Sequence, residues 1–347
     1  MECNKRPWLN EIKSYKLPSK PPKILARLHM NENPFPPPPP VVEAAYKAAQ
    51  QGNLYPDPER YWKLRELAAK YYGLPGPEWV LPTLGSDTAL KLFFEVCTLA
   101  SDATFPFPSF QAYPHLASVA GTKMIYSNLK IDGNKFVLDI EDFIDKKSSA
   151  AVIDSPNNPT GSLLVNEETL ERVVNAFPVV LLDEAYGEFA PYDLVRKVEE
   201  FKNLVVTRTM SKAFALAGFR MGFFISNPEY VDNVSKLLMP YDIPSMTIEA
   251  AIAAFSYLDY VKDYINYVNN EKRKLYGKME ELGWKPFQSY TNFVLVKAVK
   301  DIVKMFKERG VMVRRVPLGD EWFRVSIGSP EEMRIFYETA EEIAKRL

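Results

Sequence analysis

The sequence of 347 residues is poor in cysteine, histidine and glycine, and its apolar runs are short. Two cysteines, Cys3 and Cys97, exclude a disulfide framework and a cysteine metal site. Two histidines, His29 and His115, give little support to histidine metal centres or histidine-based catalysis. No run approaches the roughly 18 uncharged apolar residues of a membrane span, and the start lacks the apolar centre of a signal peptide. We therefore expect a cytoplasmic protein without a metal site, whose chemistry depends on lysine, carboxylates or a cofactor.

An excess of charge of either sign is also absent. Lys and Arg number 43 and Asp and Glu number 44, so the net charge is -1 and neither nucleic acid nor a membrane is an expected partner. The 15 glycines include no Gly-x-Gly-x-x-Gly pattern, which argues against a nicotinamide dehydrogenase. Hydrophobic residues make up 47% of the chain, and its length suggests about two domains at roughly 150 residues each.

Alternating helix and strand patterns begin near residue 41. Three short apolar runs, 150–153, 179–182 and 204–207, predict strands buried on both faces, as in a parallel sheet. Residues 166–176 predict the helix of a right-handed crossover between the first two strands. Earlier helices are predicted over 41–51, 61–72 and 88–100, the last capped by Ser86 or Asp87.

The closing section has a different pattern, with a long helical stretch followed by strands mixed with helices. We predict an α/β fold, with a large doubly wound, mainly parallel sheet domain and a smaller α+β domain. The predicted boundaries are 1–40 for an N-terminal segment packing with the small domain, 41–244 for the large domain and 245–347 for the small one. Within the last section, helices are predicted over 245–282, 299–309 and 330–347, and strands over 292–296, 311–315 and 323–327.

Polar side chains follow each of the three buried strands. The first strand is followed by the amide of Asn158, and the second by Asp183 and Tyr186. Lys212 follows the third strand and is flanked by hydroxyl side chains. Ligands of open parallel sheets bind just beyond the carboxyl ends of the strands, so these residues are expected to share one site. Taken singly, each also fits an ordinary turn, a helix cap or a solvated lysine.

A second group of residues predicts a phosphate site. Ser86 and Asp87 begin a helix, where free N–H groups and the helix dipole favour phosphate. Thr209 and Ser211 add hydroxyl groups, and Arg220 adds a guanidinium fork. The site then combines phosphate ligands, a lysine that can bond to an aldehyde and a carboxylate for a cationic ring nitrogen. Pyridoxal 5′-phosphate is the common cofactor that needs all three.

The chain also resembles the fold-type-I aminotransferases of class I and II, which use this cofactor, and the resemblance covers nearly its whole length. An Asn31-Glu-Asn-Pro34 opening, a Tyr55-Pro-Asp57 triplet and the short length are similar to the histidinol-phosphate branch of that family. The motifs that carry the family resemblance are Gly85-Ser-Asp87, Pro108-Ser-Phe110-x-x-Tyr113, Asn158-Pro-Thr-Gly161, Asp183-Glu-Ala-Tyr186, Thr209-x-Ser211-Lys212, Arg220 and Phe323-Arg-Val-Ser-Ile-Gly328.

The resemblance implies a role for each residue of the cofactor site. Lys212 holds the cofactor covalently and then moves the proton, while Asp183 pairs with the ring nitrogen. Asn158 and Tyr186 hydrogen-bond the phenolic oxygen of the ring, and Phe110 stacks on the ring. The implied phosphate ligands are Ser86, Asp87, Thr209, Ser211 and Arg220.

Other residues are implied to bind substrate or to complete the site of a second subunit. Tyr55 is expected to reach the cofactor phosphate of the neighbouring subunit, which implies a homodimer with shared sites, although a helix-flanking aromatic explains the residue equally well. Arg324 is expected to bind the substrate anion, with a further arginine at either Arg314 or its neighbour Arg315, which faces the other way. Tyr15 and Asn33 are weaker candidates for the substrate pocket, and a structural role fits both.

The implied reaction is a ping-pong transamination of histidinol phosphate with 2-oxoglutarate, in histidine biosynthesis. The alternatives within the family are an aromatic amino acid aminotransferase and a threonine-phosphate decarboxylase. A non-catalytic ligand sensor is disfavoured because Lys212 is present and because no basic patch or additional N-terminal domain is evident.

Overall fold

A computed structural model describes residues 6–13 and 23–346 of the chain. Tyr15, a predicted substrate residue, lies outside the described residues. Within those residues, no helix combines the length and the apolar character that crossing a bilayer requires.

Short strands and longer helices alternate along the chain. The strands are β1 (Ala26–Arg27), β2 (Val80–Leu84), β3 (Asp102–Phe107), β4 (Lys123–Asn128), β5 (Lys130–Asp132), β6 (Lys135–Val137), β7 (Ala151–Asp154), β8 (Val180–Asp183), β9 (Leu204–Thr209), β10 (Met221–Ile225), β11 (Lys285–Pro286), β12 (Phe293–Lys297), β13 (Val311–Met312), β14 (Arg314–Arg315) and β15 (Trp322–Ser326). The α-helices are α1 (Pro39–Ala49), α2 (Pro58–Tyr72), α3 (Gly85–Cys97), α4 (Tyr113–Ala120), α5 (Ile140–Asp145), α6 (Glu167–Ala176), α7 (Pro228–Ser235), α8 (Ser245–Ala254), α9 (Leu258–Glu281), α10 (Ile302–Glu308) and α11 (Pro330–Lys345). Single turns of 3-10 helix occur at Pro7–Glu11, Pro77–Trp79, Gly187–Phe189, Val195–Glu199 and Ala217–Phe219.

A seven-stranded sheet forms the centre of the fold, in the order β2-β10-β9-β8-β7-β3-β4. Its strands are parallel except for β10, which runs antiparallel to both of its neighbours. The three predicted strands, now β7, β8 and β9, lie side by side and are buried along their whole length. Leu182 packs into the core on one face of the sheet and Leu181 into the core on the other. The prediction of a doubly wound, mainly parallel sheet is confirmed.

The crossover helix and the last helix begin as their sequences predict. Asn166 caps α6 by accepting from the N–H of Thr169, whose hydroxyl accepts from the N–H of Asn166 in return. Ser329 and Glu332 form the same reciprocal cap at the start of α11. Such capping boxes satisfy N–H groups that a helix start leaves without partners, so both helices start at a defined residue.

Three local predictions were wrong. Helix α3 begins at Gly85 and has no side-chain cap, so Ser86 and Asp87 lie in its first turn and do not cap it. The helix predicted over 245–282 is interrupted at 255–257 and forms α8 and α9. The strand predicted over 311–315 is divided between two sheets, because β13 pairs with β1 while β14 pairs with β15.

The closing section contributes a second, antiparallel sheet in the order β11-β12-β15-β14. The N-terminal segment contacts both parts of the molecule. Strand β1 pairs with β13 of the closing section. Trp8 instead donates from Nε1 to the carbonyl oxygen of Val119 on α4, at 3.1 Å, a contact outside the predicted small domain.

Candidate active site

A cleft of about 510 Å³ lies at the carboxyl ends of β7, β8 and β9. The parallel register sets Asp154 beside Asp183, and Asp183 beside Thr207, so polar groups from three strands meet at one edge. Most of the predicted cofactor residues line this cleft together: Ser86, Asp87, Phe110, Asn158, Asp183, Tyr186, Thr209, Ser211, Lys212 and Arg220.

Asp183 is a buried carboxylate that bonds to uncharged donors. Its Oδ1 accepts from the hydroxyl of Thr207 at 2.8 Å and from the N–H of Ala185 at 3.1 Å. Its Oδ2 accepts from the hydroxyl of Tyr113 at 2.8 Å. Burial raises the pKa of Asp183, and these hydrogen bonds oppose that rise. None of the salt bridges among the described residues involves Asp183, so a cationic group in the cleft has a carboxylate to pair with.

Asn158 is held by the loop that follows β7. Its backbone N–H donates to Asp154 Oδ2 at 2.8 Å, and its side-chain Oδ1 accepts from a guanidinium N–H of Arg324. The loop ends at Gly161, which has φ +77° and packs so closely against Ser289 that a Cβ would collide with the serine side chain. The side-chain amide of Asn158 is therefore presented to the cleft from a rigid turn.

Tyr186 also lines the cleft and is buried. Its hydroxyl oxygen accepts from Nδ2 of Asn31 at 2.7 Å, and its ring packs edge-on against Phe293. Burial raises the pKa of Tyr186 to about 12, so the phenol keeps its proton at neutral pH.

Lys212 follows β9 and is partly buried. Its Nζ donates to the carbonyl oxygen of Met30 at 3.3 Å and lies 5.8 Å from the centre of the Tyr186 ring. Burial, together with the positive charge of Arg324, lowers the pKa of Lys212 to about 8. A large share of the amine is therefore unprotonated slightly above neutral pH, as a nucleophile and base requires.

The first turn of α3 and the loop after β9 form the predicted phosphate corner. Gly85 has φ +74°, and a Cβ there would lie 2.5 Å from a guanidinium nitrogen of Arg220. Arg220 pairs with Asp87 at 2.7 Å. The hydroxyl of Thr209 donates to Ser211 Oγ at 2.9 Å. On β10, a Cβ at Gly222 would collide with the backbone of Gly85 and Ser86, so that glycine lets the helix start approach the sheet.

Phe110 lines the cleft and contacts Tyr113 edge-on, with ring centroids 5.5 Å apart. Tyr113 in turn holds Asp183, so the phenylalanine is supported from behind by a residue that is itself fixed to the strand ends. The ring has no hydroxyl to offer to a ligand.

Two arginines adjoin the cleft next to Asn158. Arg324 is buried on β15 and donates to Asn158 and to the carbonyl oxygen of His29, the latter at 2.8 Å. Arg314 on β14 lies opposite Arg324 in the antiparallel register and donates to Gln111 Oε1 at 2.9 Å. Arg315 instead pairs with Asp320. Between the two alternatives, the register therefore places Arg314 beside Arg324.

The side chain of His29 lies near this arginine pair. Burial and the positive charges of Arg27, Arg314 and Arg324 lower the pKa of His29 to about 4. The ring is therefore neutral at physiological pH, and the arginines supply the positive charge of this corner.

Asn33 and Tyr55 are predicted site residues that do not line the cleft. Asn33 stabilises a turn: its Oδ1 accepts from the N–H of Phe35 at 3.0 Å, and its Nδ2 donates to the hydroxyl of Tyr260 at 3.2 Å. Tyr55 is 81% exposed and stacks on Tyr241, with ring centroids 5.0 Å apart.

Sequence reasoning missed Tyr113, Thr207 and Asn31 as parts of the site. Tyr113 and Thr207 both bond to Asp183, and Asn31 bonds to Tyr186. Tyr113 and Asn31 belong to motifs that carry the family resemblance, but their partners are 70 and 155 residues away along the chain. A contact over such a separation leaves no local signal in a single sequence.

Comparisons with known proteins find similar chains over nearly the whole length of this one. A family model described as aminotransferase class I and II matches residues 23–339. The histidinol-phosphate aminotransferase of Sulfurisphaera tokodaii is 35% identical over 335 residues, covering 94% of this chain and 92% of that protein. The aromatic amino acid aminotransferase of Cutibacterium acnes is 30% identical over 341 residues, covering 96% of both chains.

The fold comparison covers the same length. The crystal structure of histidinol-phosphate aminotransferase from Sinorhizobium meliloti in complex with pyridoxal-5'-phosphate superposes with a TM-score of 0.87 and 24% identity. The match covers 100% of this chain and 99% of that chain. At this identity the likeness shows the fold, and it confirms the predicted α/β fold class.

Proposed function

The chain belongs to the class I and II aminotransferases, and from that premise we propose that it transfers the amino group between L-histidinol phosphate and 2-oxoglutarate. The full reaction is imidazole acetol phosphate and L-glutamate giving L-histidinol phosphate and 2-oxoglutarate, by a ping-pong mechanism in histidine biosynthesis. The arginine pair beside Asn158 is the observation that supports the choice of substrate. Arg324 and Arg314 together suit a doubly charged phosphate ester better than a single carboxylate.

The cofactor is pyridoxal 5′-phosphate, and the residues of the cleft fit it. The buried carboxylate of Asp183 has only uncharged donors, which leaves it free to pair with a cationic ring nitrogen. Gly85 and Gly222 leave room for a helix start close to the sheet, where the N–H groups of Ser86 and Asp87 suit a phosphate. When bound, the cofactor supplies an aldehyde that takes the amino group and a ring that accepts the electron pair left by a departing proton.

The chain's own residues then do the positioning and the proton transfer. Lys212 Nζ holds the cofactor covalently at rest and, once free, takes the proton from the substrate Cα. Its lowered pKa of about 8 keeps the required neutral amine populated. Asp183 keeps the ring nitrogen protonated, and Asn158 and Tyr186 direct their side chains to the phenolic oxygen. Phe110 supplies an apolar surface for the ring.

At the substrate end, Arg324 is preorganised for an anion. Its guanidinium is held by Asn158 and by the carbonyl oxygen of His29, and its Nε has no hydrogen-bond partner. The proposal assigns the substrate phosphate to this arginine in one half-reaction and a glutamate carboxylate in the other. Arg314 adds the second positive charge for the phosphate.

A homodimer with shared sites is the second part of the proposal. Tyr55 does not reach the cleft of its own chain, and it belongs to an exposed apolar surface of the kind that a second copy covers. We also place the enzyme in the cytoplasm, in keeping with its few cysteines. The exposed apolar residues of this surface are Leu54, Tyr55, Trp62, Met239 and Tyr241.

The shared site can be tested by mixing two inactive variants, Tyr55→Ala and Lys212→Ala. A hybrid dimer has one site with both residues intact, so mixing and reannealing the subunits should restore activity that neither variant has alone. If Tyr55 serves its own subunit, the hybrid has no complete site and mixing restores nothing.

An aromatic amino acid aminotransferase is the second candidate, because a relative of that name is 30% identical over nearly the whole chain. Purified protein assayed with histidinol phosphate, phenylalanine and threonine phosphate, each with 2-oxoglutarate, separates the possibilities. The highest kcat/KM is expected for histidinol phosphate. A preference for phenylalanine contradicts the proposal in favour of the aromatic reaction, and CO2 release from threonine phosphate indicates the decarboxylase.

Lys212→Ala tests the chemistry common to the family. This variant is expected to bind pyridoxal 5′-phosphate noncovalently and to lose transamination, whereas the wild type gains the cofactor's mass at Lys212 after borohydride reduction. Lys262→Ala is a suitable control because that lysine is exposed on α9. Substantial turnover by Lys212→Ala would overturn the assignment.

A further inference from the structure

Asn31 is buried and uses all of its polar groups. Its backbone N–H donates to Ser326 Oγ at 2.9 Å, and its carbonyl oxygen accepts from Asn292 Nδ2 at 3.1 Å. In the side chain, Oδ1 accepts from Ser326 Oγ at 2.9 Å and Nδ2 donates to the Tyr186 hydroxyl at 2.7 Å. Its φ of +54° lies in the left-handed region, which asparagine tolerates better than most residues. This many bonds leave the amide with one orientation.

Ser326 determines which end of the amide faces Tyr186. Because the serine oxygen accepts the backbone N–H of Asn31, its own proton needs an acceptor, and Asn31 Oδ1 is that acceptor. The NH2 end is thereby turned towards Tyr186. With the amide reversed, the serine proton would lose this acceptor and the tyrosine would have to donate to Asn31.

The consequence concerns the single proton of the Tyr186 hydroxyl. Since Asn31 donates to the phenol oxygen, the phenol cannot donate back along the same line, and its proton is free to point elsewhere. Tyr186 lines the cleft, and its raised pKa keeps the proton in place at neutral pH. The free direction is therefore the cleft.

We propose that Asn31 is a positioning residue that directs the Tyr186 proton into the cleft, towards the phenolic oxygen of bound pyridoxal phosphate. The inference rests on the proposed function, because it concerns the cofactor that the proposed reaction uses. A hydrogen bond donated to that oxygen stabilises its ionised form, so Asn31 lowers the proton affinity of the bound cofactor. Ser326 lies two residues after Arg324 on β15, so the same strand holds the substrate anion and sets the orientation of this amide.

The test is a pH titration of the visible absorption of the bound cofactor. Asn31→Asp keeps the shape of the side chain and replaces the donor with an acceptor, so Tyr186 turns its proton away from the cleft. The midpoint of the titration is expected to rise by roughly one pH unit, about a tenfold increase in proton affinity. Asn31→Ala, which only removes the donor, is expected to raise it less. Asn134→Asp adds the same charge at an exposed turn and is expected to leave the midpoint unchanged.

A double-mutant cycle with Tyr186→Phe separates the effect of the direction of the Tyr186 proton from the effect of the charge that Asn31→Asp adds. Without the hydroxyl, Asn31→Asp can act only through its charge, so the shift should fall well below that measured with Tyr186 present. Equal shifts in the two backgrounds, or no shift with Tyr186 present, would overturn the inference. Thermal unfolding of the cofactor-free variants shows whether each protein is folded, and the titration is made on the folded holoenzymes.

Failure of the proposed function looks different. Wild-type protein that takes up no pyridoxal phosphate and shows no pH-dependent visible band contradicts the cofactor itself. A wild type that titrates, a Tyr186→Phe midpoint above that of the wild type and an unchanged Asn31→Asp would together contradict only the role of Asn31.

Discussion

Asp183 and Glu184 are adjacent buried carboxylates with opposite surroundings. Asp183 faces the cleft and bonds to two hydroxyls and one backbone N–H. Glu184 lies on the other face of the sheet edge, where Arg208 Nε is 3.3 Å from its Oε2. Alternation along a strand accounts for the separation, because Thr207 faces the cleft with Asp183 while Arg208 faces away with Glu184.

The rear face carries an ionic cluster of four side chains, of which Arg208, Glu184 and Glu188 are buried and Asp193 is about half exposed. Arg208 is also 3.5 Å from Glu188 and 2.9 Å from Asp193. Gly187 permits this arrangement, because a Cβ there would collide with the guanidinium. Glu184 has its cation within the fold, whereas Asp183 has none and can pair with a cationic ligand. We expect the two faces of this strand end to serve different purposes, stability at Glu184 and chemistry at Asp183.

The largest expected effect comes from Asp183→Asn, compared with its rear-face counterpart Glu184→Gln. Removing the preorganised charge at the cleft should lower kcat by roughly a thousandfold. Because an asparagine keeps the shape and ends the cost of burying a charge, stability should change by less than about 1 kcal/mol. Steady-state kinetics and urea unfolding measure the two quantities. Glu184→Gln should keep kcat close to that of wild type, and an equal rate loss in both variants would refute the division between the faces.

Arg208→Met, on the rear face, is expected to lower stability, which is the converse of the effect of Asp183→Asn. Removing the only cation of the rear cluster leaves carboxylates buried without a partner, which should lower the free energy of unfolding by about 3–5 kcal/mol. Adding Glu184→Gln removes one of those charges and should recover part of the loss. Urea denaturation of the single and double variants decides this, and a double variant less stable than Arg208→Met would show that repulsion in the cluster is not the cause.

Lys212 in the cleft should make the stability of the cofactor-free protein depend on pH. Its pKa falls from 10.5 in the unfolded chain to about 8 in the cofactor-free fold. Between these values the unfolded chain binds more protons, so stability rises with pH across that window. Lys212→Met should therefore be more stable than wild type at pH 7, by at most about 3 kcal/mol, and this advantage should shrink from pH 8 to 10.5. An advantage that does not vary with pH would place the cause in packing and not in the charge.

Thr207→Val is expected to have the smallest effect, and it tests the surroundings of the cleft carboxylate Asp183. It removes one hydrogen bond from Asp183 and should cost about 1 kcal/mol in the cofactor-free protein. Because that bond opposes the raised pKa of Asp183, the pKa should rise further. Chemical denaturation and carboxylate NMR titration measure both. Thr207→Ser keeps the hydroxyl, so it is the matched control and should leave the pKa of Asp183 unchanged.

Much of the fold could be predicted because its signals are local. The short apolar runs at β7, β8 and β9 fit buried strands. Parallel pairing of those strands then brings Asn158, Asp183 and Lys212 to one edge of the sheet. The assignment of roles to these residues came from family resemblance, and those roles remain proposals to be tested by substitution.

Other features depend on contacts that a single sequence does not display. Helix α3 begins at Gly85 close to β10, and Gly222 permits this close approach. The sequence around Gly85 gives no indication of that contact, because Gly222 lies far along the chain. The roles of Asn31 and Tyr113 depend on partners far along the chain. The interruption between α8 and α9 falls in a segment, 255–257, without proline or glycine, so helical spacing alone predicts no break there.

Gly222 also has a consequence for redesign. An interior strand normally favours a branched or aromatic residue, yet β10 has a glycine where the first turn of α3 crosses it. Any larger residue at position 222 would push the helix away from the sheet. Libraries that aim to retain the cofactor while varying the substrate end should therefore treat positions 85, 86 and 222 as one inseparable unit and place their diversity on β14 and β15.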